Sequence, residues 1–163
     1  MNLRPVLLVS VLIALAPVAD ADSFKPPPMR DGLWESHTQR SVDGKVVTDM
    51  TAKLCQSNAL TQSMRAQSDA FRKQNGCTNT VTRPAPGTYL DEGRCAKGSN
   101  AGVIVSTRIT YQGDVASHLE MRSSKDKPGT VMTVDSKYLG SCPAGMKPGD
   151  MVMPDGKKVS GGT

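Results

Sequence analysis

The chain has 163 residues, 37% of them hydrophobic and only 4% aromatic, with a net charge of +5. Much of the apolar content sits in the first 21 residues, so Leu, Ile, Val and Phe are sparse elsewhere. That excludes a large enzyme core, a transmembrane helix and a coiled coil, and leaves one small, thin-cored domain that needs covalent help to fold.

Arg4 precedes an apolar run over residues 6–16, and small residues follow at Ala19 and Ala21. The run is too short for a bilayer-spanning helix, which takes roughly 20 residues, but it suits the core of a secretory signal peptide. Cleavage is expected after Ala21, giving a leader (1–21), one β domain (22–143) and a flexible tail (144–163) rich in Gly, Pro and Lys. With no cysteine before Cys55 to carry a lipid and no twin-arginine pair, the product is expected to be exported to a periplasm. It would touch membrane only through the uncleaved leader.

Residues 22–30, with Pro26-Pro27-Pro28, read as extended chain. Gly32-Leu33-Trp34-Glu35 opens the first strand, and Asp43-Gly44 predicts a tight hairpin turn between residues 38–42 and 45–51. The period then changes. Leu60, Met64 and Phe71 fall on one helical stripe, with Ser57 placed to cap its start and Asn75-Gly76 to end it. Strands resume over 78–83 and 88–96, on either side of Pro84-Ala85-Pro86-Gly87. Val103, Val105, Thr107, Ile109 and Tyr111 alternate with polar neighbours, as do Val115, Ser117, Leu119 and Met121 beyond Gln112-Gly113. Lys127-Pro128-Gly129 turns the chain into a last strand over 130–139. The expected fold class is mainly β (α+β): an antiparallel twisted meander of about seven strands, curled toward a half-barrel, with one helix inserted after the second strand. Val103, Val105, Ile109, Val115, Leu119 and Met121 are its expected core.

Cys55, Cys77, Cys95 and Cys142 form an even, widely spaced set that suits two disulfides in an oxidising compartment. Of three possible connectivities, Cys55–Cys77 with Cys95–Cys142 is preferred, because the first would staple both ends of the helical segment.

Three groups invite chemistry. His37 and His118 each fall on the polar face of a strand and read as exposed, and no hydrolase motif or paired-carboxylate motif accompanies them. Trp34 reads as a large apolar body closing one end of the core. Met146, Met151 and Met153 lie close together, and their soft thioethers could hold Cu(I). Lys and Arg are scattered and aromatics are few, against the clustered, stacking surface of a nucleic-acid binder.

Pro28-Met29-Arg30-Asp31-Gly32-Leu33-Trp34-Glu35 resembles the "P-G-x-W-E" opening of a family of exported Gram-negative bacterial proteins, known only as domain of unknown function 3617. Ile109-Thr110-Tyr111-Gln112-Gly113-Asp114, the closing Leu139-Gly140-Ser141-Cys142-Pro143 and the placement of the cysteines are similar as well. The resemblance implies an exported, disulfide-bonded β domain and brings no catalytic residues. No catalytic or cofactor-binding residue is assigned. The expected role is non-enzymatic, with a small apolar ligand or an envelope component as partner; a Cu(I) carrier is the alternative.

Overall fold

A computed structural model of the chain describes residues 26–161. The leader, its cleavage point and residues 162–163 lie outside the described residues.

Asp43 and Gly44 both take positive φ, 51° and 76°, the pairing a two-residue hairpin turn demands. They join β1 (Gly32–Val42) to β2 (Lys45–Gln56), paired from Val42↔Lys45 to Gly32↔Gln56 with one shift of register between Arg40 and Ser41. The helix α1 (Asn58–Gln74) follows. Ser57 Oγ accepts the Leu60 N–H at 3.2 Å, and Gly76 with φ 59° ends the helix in the left-handed region. Then come β3 (Cys77–Ala85), β4 (Thr88–Cys95), β5 (Ile104–Gln112), β6 (Ala116–Ser123) and β7 (Thr130–Gly140), each antiparallel to the last.

The meander does not simply continue from β1. β7 returns to pair with β1, so the sheet order is β3-β4-β5-β6-β7-β1-β2, with the two-residue strands β8 (Met151–Val152) and β9 (Lys158–Val159) beyond β2. The sheet is open, with β3 and β9 at its edges, and does not close into a barrel. The antiparallel β class and the helix after the second strand are as expected.

This order sets the helix's task. β2 and β3 stand six strand spacings apart, roughly 29 Å at about 4.8 Å each, and α1 is the chain that joins them. A 17-residue helix spans about 25 Å, so α1 runs across one face of the sheet.

The same length overturns the preferred disulfide pairing. Cys55 and Cys77 lie at opposite ends of α1, whereas bridged cysteines need Cα atoms about 4.4 to 6.8 Å apart. The bonds are Cys55–Cys142 and Cys77–Cys95. Cys77 and Cys95 lie directly opposite in the β3–β4 hairpin. Cys142 reaches Cys55, at a Cα separation of 5.6 Å, because β7 docks beside β1.

The expectation of a flexible tail did not anticipate its backbone pairing. Gly149 N–H donates to Cys55 O at 2.7 Å and Cys55 N–H to Asp150 O at 2.9 Å, and Met151 then pairs with Leu54. The Asp150 side chain is buried, taking Lys158 Nζ at 2.7 Å and the Lys147 N–H at 2.8 Å. Lys158 first, then Lys147, holds this carboxyl below its ordinary range.

The buried apolar residues among those described are Trp34, Ala52 and Cys55. Trp34, 2% exposed, lies between Leu54 of β2 and Tyr138 of β7, edge-on to the Tyr138 ring with centroids 5.8 Å apart. Its Nε1–H donates to Arg30 O at 2.9 Å. Gly32 beside it is obligatory: at φ 145° a Cβ would run into the Gly140 carbonyl and the Tyr138 ring.

The expected core of the later strands is only half formed. Register puts Tyr89, Ile109, Leu119 and Val134 in one row on the face α1 crosses, with His118 on the other face. The alternation was therefore read with the correct faces. However, Val103, Val105, Ile109, Leu119 and Met121 are half-buried and Val115 is 37% exposed, because one helix cannot cover so wide a sheet. Leu119→Ala is accordingly expected to cost about 1 to 2 kcal/mol, below the 2 to 5 of a fully buried leucine. His118→Ala should cost less than about 0.5 kcal/mol, as surface changes do. Urea unfolding of both variants checks the register, since a one-residue slip would reverse their order.

Candidate functional site

The space between α1 and the sheet is the most unusual feature of the molecule. No residue of α1 is buried. Met64 is 61% and Phe71 51% exposed, yet the stripe they share with Leu60 faces apolar residues of the sheet across open clefts. A cleft of about 350 Å³ lies between Leu60, Met64 and Leu54. Another, of about 390 Å³, lies between Phe71 and the row Val105, Thr107, Met121. A third, of about 430 Å³, is walled by Pro26, Met29, Trp34, Ile109 and Tyr111 and roofed by Thr61 and Arg65. Protein interiors normally close such gaps, because unfilled space forfeits dispersion contacts on both walls.

Each wall has a local cause. Pro26-Pro27-Pro28 stays extended and ends at Met29, where Arg30, paired with Asp114 at 2.7 Å, holds the strap beside Trp34. Asp31 accepts the Asn58 N–H at 2.7 Å and so fixes the start of α1, where a carboxylate also favours the helix dipole. Arg72 reaches Asp91 of β4 at 3.9 Å and ties down the far end. The helix is thus held at both ends and unpacked between them.

The third cleft is mixed in character. Trp34 offers it an apolar ring, since its N–H is already used. Tyr111 is half-buried, and burial pushes its phenol up to about 12, with Arg65 opposing the shift. Ser117, Ser136, Gln56 and Asn58 add polar groups, and Arg65 is the only charged side chain in the lining.

The opposite face carries the two histidines. Register aligns His37, Asp135 and His118 in one row. His118 Nδ1 lies 2.7 Å from Asp135 Oδ1, and His37 Nε2 lies 2.7 Å from Asp49 Oδ1. Gln39 first, then His37, holds the Asp49 carboxyl below its usual range. A groove of about 400 Å³ runs over this row, with Glu35 and Lys137 at its side. The histidines are 39% and 43% exposed, in keeping with the sequence reading. Their contact with carboxylates is a feature that general-base chemistry would use, and the sequence did not show it. Neither imidazole hydrogen-bonds to a serine, threonine or cysteine among the described residues.

The methionines lie elsewhere. Met151 sits in β8 opposite Leu54 and Val159, with Met153 just beyond the strand and Met146 in the preceding turn; all three are half-buried. Among the described residues no three His, Cys, Asp or Glu side chains gather as a metal site would require, and no helix is long and apolar enough to cross a membrane.

Arg65, Tyr111 and Ile109 went unnoticed as site residues. One signal was available: Asn58, Thr61, Arg65, Ser68 and Arg72 form a polar stripe at helical spacing beside the apolar one, so whichever side meets the sheet carries both.

Fold and cleft define a disulfide-bonded domain of one open antiparallel sheet, spanned by a loosely seated helix. Residues 29–142 match the family model described as "Protein of unknown function (DUF3617)". The chain belongs to that family. Neither a curated protein nor a solved structure matches it.

Proposed function

We propose that this protein is an exported, non-enzymatic binding domain that holds a small apolar or amphipathic ligand between α1 and the sheet. The observation that carries the reading is unfilled space lined by apolar side chains under the helix, with Leu60 and Met64 facing Leu54, Phe71 facing Val105 and Met121, and Met29, Trp34 and Ile109 walling a third cleft beneath Thr61 and Arg65. Volumes of about 350 to 430 Å³ fall within the roughly 300 to 1,000 Å³ of small-molecule sites. Burying the exposed parts of those side chains against a ligand would contribute about 25 cal/mol per Å² of apolar surface. The two disulfides suggest an oxidising, non-cytoplasmic compartment. The leader pattern favours the periplasm, where amphiphiles must be carried through water.

Trp34, the single tryptophan, lines the 430 Å³ cleft and reports its occupancy. Titration with decanol should change its emission saturably, with one molecule bound per chain. An unchanged spectrum up to the solubility limit of the alcohol would defeat the proposal.

A further inference from the structure

Two arginines of the described chain are half-buried, Arg65 and Arg72, both on α1 and two turns apart. Arg72 is matched by Asp91. Arg65 makes no hydrogen bond or ion pair with any described residue; the phenol of Tyr111 is the group it bears on electrostatically. It lines both the 430 Å³ and the 350 Å³ clefts, and neither lining contains a carboxylate. The nearest end of the helix offers no competing anion site, because Asp31 and Ser57 already take the N–H groups of Asn58 and Leu60.

A half-buried guanidinium with no anion beside it among the described residues is free to take one, and a charge-assisted pair with an anion is about twice as strong as a neutral hydrogen bond. Its planar fork matches a carboxylate with two parallel hydrogen bonds. From Arg65 the cleft leads over Trp34, Ile109 and Met29, which are apolar. The volume is near the low end for ligand sites, enough for one chain rather than two.

We propose that the ligand is a single-chain carboxylate, its head on Arg65 and its tail against Trp34 and Ile109. This rests on the reading of the cleft as a ligand site and adds the chemical class of the ligand. Tyr111, a neutral phenol in the same lining, can donate to the head group without repelling it.

The test compares decanoate, decanol, decylamine and decyl phosphate on the intact mature chain, by Trp34 emission and by calorimetry, in wild type, Arg65→Gln and Arg65→Lys. Decanoate should bind wild type about tenfold tighter than decanol, as one charge-assisted contact would give. Arg65→Gln should erase that preference, read as the ratio of decanoate to decanol affinity within the variant, while Arg65→Lys should restore part of it; unaltered melting temperatures would show that the variants are folded. Decanol binding as tightly as decanoate to wild type, or a preference that survives Arg65→Gln, would overturn the head-group assignment while the cleft reading stands. Tighter binding of decylamine than decanol, or of decyl phosphate than decanoate, would also overturn it. Binding of none of the four would remove both proposals.

Discussion

Replacing Cys55 and Cys142 together by serine should lower stability by about 4 to 5 kcal/mol, and replacing Cys77 and Cys95 by about 3. The bonds close loops with sequence separations of 87 and 18 residues, and chain-entropy estimates scale with the logarithm of loop length. Packing widens the gap. Cys55 is 1% exposed, in a strand whose backbone carries the tail through Gly149 and Asp150, whereas Cys77 and Cys95 are half-buried in a hairpin that the register alone also holds. Against a net stability of about 5 to 15 kcal/mol for a small domain, with so little buried apolar surface, the first variant should be largely unfolded at moderate temperature. Urea midpoints of the two serine variants decide the order. A larger loss from Cys77 and Cys95 would mean that the tail contributes little to the sheet.

Trp34→Ala should cost about 3 to 5 kcal/mol, the range for truncating a buried large aromatic. The ring is the largest buried side chain, and three contacts depend on it: Leu54, the edge-on Tyr138 ring and the hydrogen bond to Arg30 O. That hydrogen bond also holds the strap that walls the cleft, so the variant should lose ligand binding together with stability. Trp34→Phe keeps most of the apolar body and gives up the donor, for a smaller loss of about 1 to 2 kcal/mol. Thermal unfolding of the two variants separates packing from the hydrogen bond. Equal losses would mean that the donor, rather than the ring, holds this end of the sheet.

How much could be read beforehand follows the range of each interaction. The Asp43-Gly44 turn, the Ser57 cap and the facing of Ile109 and Leu119 are set by neighbours in the chain, and all were legible. The disulfide pairing was not, because it depends on β7 docking beside β1 and on α1 spanning the sheet, which no local pattern reveals. The seating of the tail's first residues was hidden for a similar reason: no local pattern in a stretch rich in Gly, Pro and Lys shows that Gly149 and Asp150 pair with Cys55. Of the site, Trp34 was visible as the single large aromatic body near the start of the first strand. Arg65 looked like any solvated arginine on a helix. Only the path of α1 over the sheet brings it to the cleft, and there, unlike Arg72, it meets no carboxylate among the described residues.

The most direct test of the account is chemical-shift mapping by heteronuclear NMR of residues 22–163 titrated with decanoate, since the two faces of the sheet carry rival grooves. The account predicts shifts at the Trp34 Nε1–H, Ile109, Tyr111, Ser117 and Arg65, with His37, Asp135 and His118 unmoved. Shifts centred on the His37–Asp135–His118 row, with Trp34 and Ile109 silent, would contradict it and move the functional site to the opposite face.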